Sequence, residues 1–155
     1  MIEGINYKTG LGDMAGLMVT TNQSLRHLNN GLMKQGSCPV DNRQFRGNIT
    51  VDCLKSEPWQ EDSWKELVIG SNSKYLMKNF LKCTRCQVTT LDPVTAVKRQ
   101  DGEPLNWLTR FGRMCSGAEL NFYDSPHYGM YYAPNQSNEQ NETVVKIGDP
   151  VYAKF

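Results

Sequence analysis

Leu81–Pro93 reads L-K-C-T-R-C-Q-V-T-T-L-D-P. Cys83 and Cys86 stand in C-x-x-C spacing, with Lys82 and Arg85 beside them. The β-branched run Val88-Thr89-Thr90-Leu91 follows and reads as a strand. Asp92-Pro93 stops it, because proline donates nothing to a ladder and restricts the residue before it. On this reading Cys86 lies at the mouth of a strand beside two cations. Nearby positive charge favours the thiolate, the form that acts as nucleophile or metal ligand. Four uses of the thiols stay open. Two reduced cysteines near a sheet edge are the simplest, since free Cys behaves as a small hydrophobe. A structural zinc site needs about four ligands, but Cys38, Cys53 and Cys115 are scattered and the histidines are only His27 and His127. A thioredoxin-type pair wants a helix N-terminus, which a following strand does not supply. The fourth is a single metal-ligating thiolate at Cys86, with Arg85 gripping an anionic cofactor.

On either side of this stretch most apolar segments are short and strand-like. Leu17-Met18-Val19-Thr20 reads as a buried strand, followed by a helix capped by Thr21 or Asn22. Leu25, Leu28, Leu32 and Met33 form its apolar stripe, Gly36 ends it, and His27 falls on its solvated side. Gln44–Asp52 alternates, with Phe45, Gly47, Ile49 and Val51 on one face and Arg46, Asn48 and Thr50 on the other. It reads as a half-buried strand, and an Arg and an Asn two apart on one face reach one ligand together. Ser56–Trp64 is a loop with aromatic anchors. Glu66–Gly70 and Lys74–Phe80 read as a hairpin. Thr95–Gly102 is a polar turn. Pro104 opens a short helix through Phe111 whose buried face is Trp107, Leu108 and Phe111. Asn121–Tyr123 and Tyr128–Tyr132 are strand-like, His127 is a loop residue, and Asn135–Glu142 is a mobile loop. Val144–Ile147 and Val151–Ala153 make a last strand pair around Gly148-Asp149-Pro150.

The 155 residues make about one domain with room for a sizeable core. A net charge of +1 gives no electrostatic case for nucleic acid or an anionic membrane. No apolar run approaches the roughly 20 residues of a bilayer span. Met1–Gly12 has neither signal-peptide nor transit-peptide character and reads as a linker or a cut edge. Five cysteines, an odd number, suit an intracellular reducing compartment. The sequons at Asn22, Asn48, Asn135 and Asn141 then read as accidents of an Asn-rich chain.

Several spaced motifs share one order: F-R-G-N-I at 45–49, E-D-S-W at 61–64, C-T-R-C-Q-V-T-T-L-D-P at 83–93, E-P-L at 103–105 and K-I-G-D-P-V-Y at 146–152. Together they resemble the MOSC domain, and most of all the C-terminal MOSC region of mitochondrial amidoxime-reducing components, with the domain taken as 13–155. The resemblance implies a mainly β (α+β) fold with a barrel-like sheet and a few short helices. It implies a molybdenum-pterin cofactor (Moco), with Cys86 as metal ligand and catalytic centre. Thr84, Arg85, Arg46, Asn48 and Tyr131 carry over as cofactor contacts, and Asp13, Met14 and Ala15 as a weaker match that touches through backbone. A soft thiolate suits molybdenum, and guanidinium forks suit a phosphate or a pterin edge. Cys83 carries no such role. Gly47 stands where the family has proline, which would loosen the chain between Arg46 and Asn48.

The implied activity is molybdenum-dependent reduction of N-hydroxylated compounds, with electrons from a b-type cytochrome and its NADH-dependent reductase. Full-length relatives add an N-terminal β-rich domain, and some carry an anchor in the mitochondrial outer membrane; neither is read in this chain. Two rival expectations stand beside this. One is a cofactor-binding or sulfurase C-terminal-type module without independent turnover, a type whose family descriptions also mention pyridoxal phosphate. The other is an inactive remnant of the fold.

Overall fold

The computed structural model describes residues 16–53, 55–71, 75–116, 124–134 and 144–155. The expected elements at Met1–Gly12 and Asn121–Tyr123 and the loop at Asn135–Glu142 lie outside them, as do Asp13, Met14 and Ala15.

Strand β1 (Leu17–Thr21) runs directly into helix α1 (Asn22–Lys34). The Thr21 side chain makes the junction, accepting from the Ser24 N–H at 3.2 Å as an N-cap. At the other end Gly36 adopts φ +78. The Ser37 N–H then reaches Leu32 O and the Gly36 N–H reaches Met33 O, both at 3.0 Å, which closes the helix as a Schellman motif. Leu28 and Leu32 are fully buried, each worth about 2 kcal/mol on transfer from water. Met33, expected on the same stripe, is half exposed.

Strand β2 (Ile49–Val51) pairs in parallel with β1, so α1 serves as the crossover that parallel pairing demands. The remaining strands are β3 (Glu66–Ile69), β4 (Tyr75–Thr84), β5 (Met114–Cys115), β6 (Ser125–Pro134) and β7 (Val151–Lys154). Their order is β2-β1-β6-β4-β3-β7, with β5 attached to β6, and every contact but the first is antiparallel. A short helix α2 (Leu105–Arg110) completes the chain's regular elements among the described residues.

Alternation along the strands separates two cores. Met18, Cys83, Tyr128 and Tyr131 face the helices and pack with Leu28, Leu32, Phe45, Trp107 and Leu108. Val19, Met77, Met130 and Tyr132 face the other way. There they meet Val51 from one end of the strand order and Ile69 and Val151 from the other. Only a sheet that curls round on itself brings its two ends into one apolar cluster, so the mainly β, barrel-like architecture is as expected.

Local chemistry overturns several expected elements. Gln44–Asp52 is not one strand. Asp41 accepts from the Arg43 N–H at 2.8 Å and the Gln44 side chain accepts from the Asp41 N–H at 2.9 Å, so a capping box winds Asn42–Phe45 into a 3-10 turn. Arg46 follows in the left-handed region at φ 57, and pairing begins only at Ile49. Val88–Leu91 is not a strand either. The Thr89 hydroxyl donates to Cys86 O at 2.9 Å and the Thr90 hydroxyl to Gln87 O at 2.7 Å, turning Gln87–Thr90 into a 3-10 helix. The strand at this stretch is β4 instead, which contains Cys83 and ends before Cys86. Val144–Lys146 is irregular and leads into a turn at Ile147-Gly148, closed by Asp149 on the Lys146 N–H at 2.8 Å, and β7 pairs with β3 rather than with it. Phe111 is half exposed although its ring stacks on Trp107 at 4.4 Å. His27, expected in water, sits edge-on to Trp59, Trp107 and Phe111 at 5.1–5.9 Å, because the α1 face that carries it packs on α2. His127 is no loop residue: it lies within β6 and is 3% exposed.

Candidate functional site

The antiparallel ladder between β4 and β6 carries the thiol stretch to one end of the sheet. Its last pair is Thr84 with His127, and the Arg85 N–H continues it to Pro126 O at 2.7 Å. Cys83 is still inside this ladder. It is 2% exposed, packed among the helix-side core, with its thiol 3.8 Å from Thr84 O. Cys86 lies past the end of the strand, in extended conformation at the start of the 3-10 helix, and is exposed. The two thiols of the motif therefore occupy different environments, and both are unbridged.

Arg85 ties this end of the sheet together. Its Nε and Nη2 both donate to Tyr128 O, at 3.0 and 2.6 Å, and its Nη1 donates to Phe45 O at 2.8 Å. Nη2 also contacts Met18 Sδ at 2.7 Å, and the guanidinium lies 5.6 Å from the Phe45 ring centroid. One side chain thus joins β1, β6 and the 3-10 turn before Arg46. Burial pushes the Arg85 pKa below the ordinary arginine range, while Cys83, Tyr131, Tyr128 and Cys86 act in the opposite direction.

The other expected residues collect around this knot. Arg46 is the residue after Phe45, exposed and held left-handed, a conformation that costs a non-glycine residue about 1–2 kcal/mol. Gly47 packs tightly: a Cβ there would stand 3.1 Å from the Thr20 side chain. The bare glycine lets the segment lie close against β1. Asn48 accepts from the Met18 N–H at 2.7 Å through Oδ1, and its own N–H donates to Met18 O at 2.9 Å. Its side chain is spent in part on clipping the segment to β1, yet the residue is exposed. Tyr131 pairs with Met18 and Leu81 and is 8% exposed, on the helix side of the sheet. Arg46, Asn48, Thr84, Arg85 and Cys86 are thereby brought to one end of the sheet, and Tyr131 lies beneath them.

Two buried polar residues, His127 and Arg113, and the partly buried Asp62 stand behind Thr84. His127 Nε2 lies 3.4 Å from Asp62 Oδ2. Arg113 grips the same carboxylate with two hydrogen bonds, Nη2 to Oδ1 at 3.0 Å and Nη1 to Oδ2, and its guanidinium sits 4.2 Å over the Trp59 ring. Burial by itself would raise the Asp62 carboxyl, but the hydrogen bonds from His127 and Arg113 hold it below the usual aspartate range. The individual residues give no periodic signal. The one legible sign is E-D-S-W at 61–64, which contains Asp62.

Among the described residues no three His, Cys, Asp or Glu side chains gather as a metal-binding group. The ligand set of a structural zinc is therefore missing there, and a metal at this end would rest on the one exposed thiol, Cys86.

The MOSC domain signature matches residues 6–152. The chain belongs to the MOSC domain family. This MOSC domain is 36% identical over 148 residues to mitochondrial amidoxime reducing component 2 of Bos taurus, covering 95% of the chain and 39% of that protein. It is 35% identical over 141 residues to mitochondrial amidoxime-reducing component 1 of Homo sapiens, covering 90% of the chain and 37% of that protein. The MOSC domain thus spans about two-fifths of the length of the curated relatives it matches. Those relatives are named mitochondrial; among the described residues of this chain no helix is long and apolar enough to cross a membrane. Their names lend no support to pyridoxal phosphate.

Proposed function

We propose that this MOSC domain holds a molybdenum-pterin cofactor through Cys86 and serves in the reduction of N-hydroxylated compounds, as the name of its relatives suggests. The observation that carries the reading is the division of labour within C-x-x-C: Cys86 is exposed and Cys83 is buried in the core. A soft thiolate on the open side suits molybdenum. The side chains around it fit such a group. Arg46 and Asn48 are exposed at the same end of the sheet, and the strained backbone at Arg46 is the kind of conformation that persists where a side chain must be aimed.

When bound, the cofactor supplies the two-electron redox couple. The chain's own residues bind and orient. Cys86 offers the thiolate. Arg46 offers a guanidinium fork to an anionic or polar edge of the cofactor. Asn48 offers its remaining amide hydrogens, since Oδ1 is engaged by Met18. Thr84 lines the side toward β6. Arg85 acts differently from Arg46: its donors are spent on carbonyls, so it positions Arg46 and Cys86 relative to each other. Tyr131 supports that arrangement from below. Electrons come from a b-type cytochrome and its NADH-dependent reductase, and the setting is the mitochondrial outer membrane.

The openness of Arg46, Asn48 and Cys86 also favours a second reading, a cofactor-binding module that turns over only with a second, N-terminal MOSC-associated domain covering the other side. Replacing each cysteine of the motif by Ser and measuring bound molybdenum tests the ligand assignment. Loss from Cys86→Ser alone is expected. Equal loss from both variants, or loss from Cys83→Ser alone, overturns it. Benzamidoxime reduction with and without the added domain separates the two readings.

A further inference from the structure

His127 has a geometry that packing alone does not require. Its backbone N–H donates across to Arg113 O at 2.8 Å, away from β4. The Thr84–His127 pair is accordingly the non-hydrogen-bonded kind, in which facing side chains stand closest, with Cα atoms about 4.5 Å apart. The imidazole therefore shares one face of the sheet with Thr84, at the end where Arg85 and Cys86 follow. One ring nitrogen, Nε2, faces Asp62. The other, Nδ1, is buried and has no hydrogen-bond partner among the described residues. An unmet polar atom in the interior costs about 1–3 kcal/mol, so such atoms mark places where another group comes to bond.

Asp62 links this ring to solvent. It lines an open cleft of about 440 Å³ together with Ser63, Trp64, Lys65, Asn79 and Met130. Among the described residues, Asp62 from the 3-10 turn Gln60–Ser63 faces His127, and Arg113 from the segment before β5 shares that carboxylate. A proton on Nε2 points at the Asp62 carboxylate, which leaves Nδ1 as the nitrogen open to another partner.

We propose that the imidazole of His127, oriented by Asp62 and Arg113, supplies a proton at the Thr84 edge of the candidate site. The inference rests on the reductase reading above and deepens it. Cleaving an N–O bond with two electrons needs two protons for the oxygen to leave as water: R–NH–OH + 2 e⁻ + 2 H⁺ gives R–NH2 + H2O. The electrons come from an external reduced haem protein. One proton comes from His127 Nδ1–H, which leaves a neutral ring with Nε2–H still on Asp62. The second comes from water.

Two measurements test this. The first uses ring-labelled, cofactor-free protein and ¹⁵N NMR, with His27→Gln to assign the two histidines. Nε2 is expected to keep its proton throughout, while Nδ1 takes one up on acidification. A neutral ring protonated on Nδ1, or a ring that never takes a second proton while the fold persists, overturns the proposal. The second compares cofactor-loaded wild type and His127→Gln at equal molybdenum content. Benzamidoxime turnover should fall about 100-fold, the scale of general acid catalysis, and the limb of the rate–pH profile that follows the ring titration should vanish. An unchanged rate and profile refute it. A wild-type chain that retains no molybdenum sinks the reductase reading itself, which metal analysis detects separately, and the inference falls with it. If His127→Gln does not fold, the ring titration of the wild type decides.

Discussion

Arg85 and Arg46 look alike in the sequence, yet Arg→Lys should affect them in different ways. At Arg85 the fork spans two anchors, Tyr128 O and Phe45 O, with Nη1 at 2.8 Å on the latter. A lysine ammonium keeps the charge but reaches only one anchor. The loss is one charge-assisted hydrogen bond, about 1.5–3 kcal/mol, plus about 1 kcal/mol for a carbonyl left poorly solvated. Arg85→Lys should thus cost roughly 2–4 kcal/mol, a large part of the about 5–15 kcal/mol that holds a domain of ordinary stability. Arg46 is exposed, and Lys tolerates its φ no worse than Arg does, so Arg46→Lys should stay within about 0.5 kcal/mol. The assay is urea denaturation of the cofactor-free chains, reading the midpoint at constant slope. Cofactor retention should then fall in both variants, through loss of the frame in one and of a direct contact in the other. Equal stability of all three proteins would refute the role of Arg85 as a tie, and full retention by Arg46→Lys would remove Arg46 from the cofactor.

Gly129→Ala should destabilise by more than about 2 kcal/mol in the same assay, since φ is +75 and the new Cβ would stand 2.6 Å from Met18 Cε and 2.8 Å from Val19 O. Gly31→Ala should displace Trp107, whose indole would lie 2.3 Å from the added methyl, and change tryptophan fluorescence. The Asp62 carboxyl is held below its unfolded value, so its stabilisation is present above about pH 4 and is lost as pH falls through the folded value; Asp62→Asn should flatten the acid side of a stability–pH curve. Glu61 has the opposite sign. Burial raises its carboxyl, so the stability is full below its unfolded value and is lost as pH rises through the folded one, and Glu61→Gln should raise the urea midpoint at neutral pH.

Hydrophobic pattern made β1, α1, β3, most of β4 and the core of β6 legible, because burial on a sheet or helix face leaves a period in the sequence. The segments that failed were decided by side-chain hydrogen bonds that leave no period. Thr89 and Thr90 are strand formers by propensity, but their hydroxyls found carbonyls three residues back. Phe45 to Val51 alternates well enough for a strand, but Asp41 and Gln44 caught the backbone first. The identities of the candidate contacts came from motif resemblance, and their gathering at one end of the sheet depends on Arg85 bonds across about 40 residues of sequence. The Asp62, Arg113 and His127 cluster joins three distant segments, which pattern alone does not connect.

The burial of Cys83 has a consequence for how the open thiol ages. In many C-x-x-C proteins an oxidised first sulfur is captured by its neighbour and later released by reductants. Here the neighbour is packed against Leu28, Tyr128 and Tyr131, and bringing it out would open the helix-side core. Peroxide attack on Cys86 therefore finds no ready resolving partner in Cys83. Sulfenic acid formed there passes to small thiols as a mixed disulfide or proceeds to the irreversible sulfinic state. The protection of this position lies with whatever covers it, not with the motif's other cysteine.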